Sequence, residues 1–379
     1  MASKSLRVRS LLTAVLARPG FRGVMAYSVA EALWLVSCGI DDVLVAYPSV
    51  DRAALAELMT SPRALAQITL TVDDPAHLDL LTAIRTQSRA TPGAVLDAAD
   101  LPVRLSLDID ASLRFALPAR SALSRLPGLS EAAVHLGARR SPVHTVEEAA
   151  RFAARAAATP GVALVGVMFY EAQVAGLPDT SPAVRLVKKL SVRDLRTRRR
   201  AVVDAVQAHV GPLEIVNSGG TGSLETSSAD PVVTEVAAGS GLLLPGLFDG
   251  YRTLDAVPAA YFGLDVVRRP SPQHATAFGG GYVASGPPTA SRQPQVVAPP
   301  GLQLLPGEGA GEVQTPLMPR RRPRRGGAGE PLPSIGDRVW LRHAKAGEQY
   351  ERFDQVHLVR GDRLVETVAT YRGEGKNFG

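Results

Sequence analysis

The sequence holds a single cysteine, Cys38, in 379 residues. One thiol excludes an intrachain disulfide and a cysteine-rich zinc site. Aromatic residues are also sparse, at 5%, with two tryptophans. None is interleaved with the basic clusters, as a stacking platform for single-stranded nucleic acid requires. No stretch approaches the roughly 18 consecutive apolar residues of a membrane-spanning helix. The N-terminus shows no basic stretch leading into an apolar run and a small-residue cleavage site. These absences lead us to expect a cytoplasmic protein without a membrane segment.

Positive charge is in excess, +6 formally, with a pI near 9.7, but it is clustered. Lys188, Lys189, Arg193, Arg196, Arg198, Arg199 and Arg200 read as the solvated face of a helix. Arg320-Arg321-Arg322-Pro323-Arg324-Arg325 lies inside a Pro/Gly-rich stretch. Neither pattern implies a nucleic-acid partner.

What the sequence has is alternation. Short apolar runs at 23–27, 43–47, 68–72, 103–108, 163–169 and 213–217 have the near-continuous aliphatic character of strands buried on both faces. Helical patterns lie between them. Ser28 with Glu31 forms a capping-box pattern, and Asp51 and Thr145 are predicted N-caps. Strand–helix alternation implies a parallel sheet. Its repetition over about 250 residues favours a (β/α)8 barrel, assigned to residues 1–265. Residues 266–333 turn Pro-, Gly- and Ser-rich and read as linker and part of a β domain. Residues 334–379 complete a small antiparallel β domain, with Arg360-Gly361-Asp362-Arg363 as a hairpin turn.

Barrel chemistry gathers on the loops that follow the strands. Asn217-Ser218-Gly219-Gly220-Thr221-Gly222-Ser223 directly follows an apolar run, and its glycines and hydroxyls suit a phosphate cradle. It is not a Walker motif, because no lysine follows the last glycine. Ala238-Gly239-Ser240-Gly241 is a second loop of this kind. Both also read as tight turns, and at this point the alternative stays open. Asp108 and Asp110 stand at a strand end, where one of them can orient Arg114. Asp41 and Asp42 precede a strand, at the inactive end, and read as turn and cap residues. Cys38 reads as packing at a helix end. His135 and His144 flank a possible further strand end. Lys4, taken alone, reads as a solvated terminal lysine.

With these residues laid out, nearly the whole chain resembles the fold-type III pyridoxal-phosphate (PLP) enzymes, which carry an alanine-racemase-type barrel. It is most similar to D-threonine aldolase, D-serine dehydratase and bacterial amino acid deaminase homologues. The resemblance rests on Lys4-Ser5, residues 18–27, Gly39-Ile40-Asp41-Asp42 running on to Tyr47-Pro48, Asp108 to Arg114, Phe169-Tyr170-Glu171 and the two Gly/Ser loops. It implies that Lys4 binds PLP covalently and acts as a base once released. It also implies that Arg114 contacts the phenolic oxygen of the cofactor and that Tyr170 faces the cofactor. Ser218, Gly219, Gly220 and Thr221, with Gly239 and Ser240, would hold the phosphate.

The implied activity is that of a PLP-dependent lyase on a D-amino acid. It would deaminate D-serine-like substrates or cleave D-threonine-like ones by a retro-aldol step. The alternatives are a racemase on the same scaffold, a non-catalytic PLP-binding or truncated homologue, and a phosphate-binding barrel of other chemistry. A racemase usually needs a second base, for which Tyr350 and Tyr371 are the candidates. A homodimer acting on a small amino acid is the implied assembly.

Two departures from the family carry expectations of their own. Met1 stands almost on Lys4, where the family has a preceding strand. A barrel without its first strand, with two unpaired edges, and a true start further upstream are therefore expected. The family's His-x-Cys metal pair is matched by His343-Ala344-Lys345. A lysine in place of the cysteine repels a cation, which argues against zinc or another divalent metal. His343 is left as the candidate ligand.

Overall fold

The apolar runs become parallel strands: β1 (Val24–Ala26), β2 (Val43–Val45), β3 (Ile68–Val72) and β4 (Val103–Ile109). A short antiparallel pair follows, β5 (Leu113–Phe115) and β6 (Val134–Leu136). The parallel set then resumes with β7 (Val162–Phe169), β8 (Ile215–Ser218) and β9 (Glu235–Val236). The computed structural model describes residues 1–90, 101–115, 134–320 and 332–379. It divides into two compact units, one of residues 1–3, 11–238 and 378–379, the other of residues 4–10 and 239–377. In the first unit the strands are hydrogen-bonded in the order β1-β2-β3-β4-β7-β8-β9. Every pairing in that sheet is parallel.

The helices are α1 (Arg9–Leu16), α2 (Val29–Ser37), α3 (Arg52–Thr60), α4 (Pro62–Gln67), α5 (Pro75–Arg89), α6 (Val146–Ala157), α7 (Ala172–Ala175), α8 (Pro182–Val210) and α9 (Leu224–Ser228). The predicted caps hold. Ser28 accepts the Glu31 N–H at the start of α2, and Asp51 accepts two N–H groups at the start of α3. Thr145 and Glu148 close a full capping box at α6. Glu31 departs from the box pattern, because its carboxylate takes the Tyr27 N–H, one residue earlier. Cys38 caps the end of α2 but is exposed rather than packed.

The expected gap in the barrel is not a gap. Ala2 bridges Met25 in parallel, and the Met25 N–H donates to the Met1 carbonyl at 2.8 Å. On its other side the Ala2 N–H donates to the Ala238 carbonyl, just past β9, at 3.0 Å. The two edges of the seven-stranded sheet therefore meet through Met1–Ala2. The first strand is reduced to one bridge, and neither edge stands unpaired.

The long helix α8 corrects the reading of its basic run. Lys189, Arg193, Arg196 and Arg200 are exposed, as a solvated face should be. Arg199 is buried and pairs with Asp230. Arg198 turns inward to the carbonyls of Asp110 (2.7 Å) and Ser112 (3.0 Å). A helix this long presents all its faces, and the sequence alone does not say which arginines meet a neighbour. None of the described helices is long and apolar enough to cross a membrane.

The second unit is built on β10 (Phe262–Ser271), β11 (His274–Phe278), β12 (Gln295–Ala298), β13 (Leu302–Leu304), β14 (Gln314–Pro319) and β15 (Arg338–Arg342). They form one antiparallel sheet in the order β12-β15-β10-β11-β14-β13. Phe262, Leu264, Val266, Ala275, Val296, Leu317, Val339 and Leu341 make its core. Strands β16 (Gln355–Arg360) and β17 (Arg363–Ala369) form the hairpin that the turn at Gly361 predicted. The Pro/Gly-rich stretch thus supplies strands as well as connections. Arg321 to Arg325 lie outside the described residues.

Candidate functional site

The loop after β8 is held from beneath by buried charge. Glu171, directly after β7, is 2% exposed. One of its carboxylate oxygens accepts from the Ser218 hydroxyl (3.0 Å) and from the Gly219 N–H (3.1 Å). The other accepts from the Ser227 hydroxyl at 2.5 Å. Arg199 donates to the Ser218 oxygen at 2.7 Å and pairs with Asp230. Its guanidinium also lies 5.2 Å from the Phe169 ring centre. Gly219 has φ +90°, and a Cβ there would stand 2.7 Å from Val236. Only glycine takes that conformation without strain. A Cβ on Gly220 would come within 3.2 Å of Ala175 and 3.5 Å of the Tyr170 ring.

The loop therefore packs closely beside Tyr170, and Thr221 begins a short 3-10 turn at its end. Of the four residues expected here, Gly220 is half-buried, and Gly219 and Thr221 are buried. Ser218 is fully buried, and its hydroxyl is engaged by Glu171, Arg199 and the Phe169 carbonyl.

At the end of β4 a second polar cluster forms. Asp110 is bonded by the Ser112 N–H (2.9 Å) and hydroxyl (2.7 Å) and by the Arg114 guanidinium. His144 stands 3.4 Å away. Burial alone would raise the Asp110 carboxyl, but the bonds from His144, Ser112 and Arg114 outweigh it and hold it far below the usual range. Arg114 is thus oriented by Asp110, as the sequence suggested. Asp108, two residues earlier, goes the other way. Burial, then the charge of Asp73, pushes its carboxyl up to about 7 against the opposing pull of Arg140. The Arg140 guanidinium lies 5.4 Å from the Tyr170 ring centre and 5.9 Å from that of Tyr47. Tyr47 and Tyr170 follow β2 and β7, so one arginine connects two strand ends.

In the second unit, Lys4 lies in an exposed position of a 3-10 turn, Ser3–Ser5. The Ser5 and Ser240 hydroxyls are 3.1 Å apart, and Ser240 with Gly239 opens the turn that follows the barrel strands. Lys4 and the second Gly/Ser loop are therefore brought together within this unit. Gly347 passes so close to Lys4 that a Cβ would fall 1.8 Å from the Lys4 carbonyl oxygen. His343 is buried. Its Nδ1 lies 3.0 Å from the Lys345 N–H nitrogen and 2.5 Å from the Lys345 carbonyl. The Tyr282 main chain is a further partner. Burial lowers its pKa, more than those contacts raise it, and the ring is occupied by main chain. The Lys345 ammonium sits 3.2 Å from Glu348 and 2.5 Å from the Ser285 hydroxyl. No group of three His, Cys, Asp or Glu residues suited to a metal ion occurs among the described residues.

Sequence reasoning passed over Glu171 and Arg140. Glu171 was legible only as the neighbour of Tyr170, and Arg140 as one of two arginines before Ser141-Pro142. Their partners lie far away in the chain.

No family model matches this chain, and no curated protein does. Solved structures are similar over nearly its full length. D-threonine aldolase from Filomicrobium marinum has a TM-score of 0.75 at 18% identity, covering 98% of this chain and 87% of its own. D-threo-3-hydroxyaspartate dehydratase from Delftia sp. HT23 has a TM-score of 0.69 at 18% identity, covering 97% and 89%. Alanine racemase of Clostridium difficile 630 in complex with cycloserine has 0.58 at 12% identity, covering 97% and 89%. The chain has the fold of the fold-type III PLP enzymes, a parallel barrel with helices and a separate antiparallel β domain.

Proposed function

We propose that this chain is a PLP-dependent lyase that acts on a D-amino acid bearing a β-hydroxyl, by dehydration and deamination or by retro-aldol cleavage. One observation carries the reading. Lys4 comes two residues after Ala2, in the chain direction that every strand of the parallel sheet shares. That is the direction in which barrel strands deliver catalytic residues.

The residues fit the cofactor. A phosphate group needs a tight main-chain turn with no Cβ in the way, and Gly219 and Gly220 give the loop that shape beside Tyr170, with their own N–H groups held by Glu171 and by the Ser223 hydroxyl. Thr221, Gly239 and Ser240 would complete the phosphate contacts, with Ser218 holding the loop in shape through Glu171. Lys4 would bind the cofactor covalently, Arg114 would contact its phenolic oxygen and Tyr170 would face its ring. When bound, PLP supplies an electron sink for the pair left at Cα. The Lys4 amine, released by the incoming substrate amine, would then take or return a proton as general base. Tyr170 and the glycine loop would fix the orientation that selects which Cα bond breaks.

The racemase alternative asks more of the protein. Tyr350 is 6% exposed and its hydroxyl is pushed up to about 12 by burial, while Tyr371 is 1% exposed. Side chains packed this closely fit the role of packing groups better than that of a second base. His343, held by main-chain groups on both sides, is likewise no open metal ligand. The proposal therefore includes no metal; it includes a homodimer and a small amino acid as substrate.

Reduction of the PLP-treated protein with borohydride, followed by peptide mapping, tests the reading. A phosphopyridoxyl group on Lys4, lost in Lys4→Ala, is expected. Labelling spread over other lysines, or none at all, would leave the barrel to another chemistry.

A further inference from the structure

The resemblance implies a metal ion on a His-x-Cys pair, and the matching residues of this chain do not fit one. A lysine stands at position 345, where the cysteine would be, and its ammonium repels a cation. His343 is buried, and its ring is occupied by the main chain of Lys345 and Tyr282. The lysine itself belongs to a different arrangement.

Lys345, Ser285 and Glu348 form a chain of three groups. The Lys345 ammonium donates to the Ser285 oxygen at 2.5 Å, and the Ser285 hydroxyl donates to Glu348 Oε1 at 2.5 Å. The Ser285 N–H holds the other carboxylate oxygen at 2.8 Å. The ammonium also lies 3.2 Å from Glu348 Oε1. An ammonium has three N–H donors, and these contacts occupy two of them. The Lys345 side chain remains 35% exposed, so the remaining donor is open to a ligand.

The segment that carries Lys345 is fixed beside Lys4, within the second unit. The His343 and Ala344 carbonyls accept the Gly246 and Leu247 N–H groups at 3.0 and 3.1 Å. Those residues follow the Gly239–Ser240 turn, whose serine hydroxyl lies 3.1 Å from that of Ser5. At its other end the segment reaches Gly347, which lies so close to the Lys4 carbonyl that no Cβ fits. Lys345 therefore sits on a short segment pinned on both sides to the surroundings of Lys4.

We propose that Lys345, kept in place by Ser285 and Glu348, takes the place of a metal ion: its ammonium donates to the β-oxygen of the substrate as that oxygen departs. The role rests on the proposed function. As the Cβ–O bond breaks, its electron pair stays on the oxygen, and the ammonium proton makes it water. The Cα–H pair becomes the second Cα–Cβ bond, and the Lys4 amine takes the Cα proton. A fixed donor aimed at developing charge lowers the barrier to its formation. It does nothing for a group that leaves as a stable anion.

The test compares two substrates of the PLP-loaded full chain. D-serine loses an oxygen, which needs the donor; β-chloro-D-alanine loses chloride, which does not. Lys345→Met is expected to lower kcat on D-serine about 100-fold and to leave kcat on β-chloro-D-alanine within about threefold. The borohydride adduct on Lys4 should persist in this variant. Lys345→Arg, which keeps the charge, should recover part of the loss on D-serine. Equal loss on both substrates marks a structural role and overturns the assignment. So does an unchanged kcat on D-serine, or cleavage of D-threonine with no loss of oxygen from D-serine. Metal is read apart from activity, by calorimetric titration of the chain with zinc chloride after dialysis against EDTA. No stoichiometric site is expected, and one that disappears in His343→Ala overturns the assignment whatever the activity. If Lys4 takes no adduct, the proposed function fails and the role of Lys345 with it; if the adduct forms, the substrate comparison judges Lys345 alone.

Discussion

Two strand ends of the same barrel handle buried charge in opposite ways. At the end of β8, Glu171, Arg199 and Asp230 are all buried, and each has a polar or charged partner close by. At the end of β4, Asp110 is equally well bonded, but Asp108 is raised and Arg139 and Arg140 border a cavity. The first arrangement spends its charges on rigidity, holding a glycine loop in a strained shape. The second places Arg139 and Arg140 at exposed positions, where solvent answers their charge, and leaves Asp108 without the bonds that Asp110 has. Burying a charge without a partner is costly, so burial raises Asp108 while the bonds on Asp110 hold it low.

Breaking the β8 arrangement should have the largest effect. Glu171→Ala removes the acceptor for Ser218, Gly219 and Ser227 and leaves buried donors unpaired. A loss of about 3–5 kcal/mol is expected, the range for breaking a buried charged network, and urea unfolding would measure it. A loss under about 1 kcal/mol would show that the loop holds itself. Gly219→Ala is next. Its positive φ and the close approach of Val236 should cost about 1–3 kcal/mol and weaken PLP retention more than Gly211→Ala, which also has a positive φ but open space around it.

The pH dependence of stability sharpens the comparison at β4 with a smaller effect. Asp108 ionises near 4 in the unfolded chain and at about 7 when folded. The unfolded state therefore loses its proton first, and the contribution of Asp108 falls as pH rises from about 4 towards 7. Asp108→Asn should flatten that decline and gain on the order of 2 kcal/mol at pH 8. Asp110 has the opposite sign. Its depressed carboxyl contributes fully above about 4 and is lost as pH falls below that value. Asp110→Asn should flatten the acid limb and leave the alkaline side unchanged in slope. Thermal unfolding between pH 3 and 8 separates the two, and matching profiles for both variants would contradict the assignment.

Much of the barrel was legible because its signals are local. An aliphatic run such as Ile68–Val72 maps onto a strand residue for residue, since both faces are buried and no polar position interrupts it. Asp51 and Thr145 mark helix starts through bonds that reach only two or three residues. The antiparallel sheet was harder to see. Pro316 and Pro319 sit inside β14, where proline ordinarily argues against a strand, and the glycines at 279–281 read as linker although Gly280 packs against Thr315. The glycine loop was visible as a motif. Its support was not, because Glu171 lies 47 residues from Ser218 and 56 from Ser227.

The sequence alone determined the alternation of strand and helix, the positions of the caps, the two Gly/Ser loops and the lysine near the N-terminus. These depend on periodicity and on bonds between near neighbours. Tertiary structure decided the rest. It joined both sheet edges through Met1–Ala2, buried Arg199 while exposing Arg200, and set Asp108 and Asp110 on opposite sides of the usual carboxylate range. Those outcomes depend on which groups meet across the fold, and the chemistry of a charged side chain is set by the partner and the solvent it finds there.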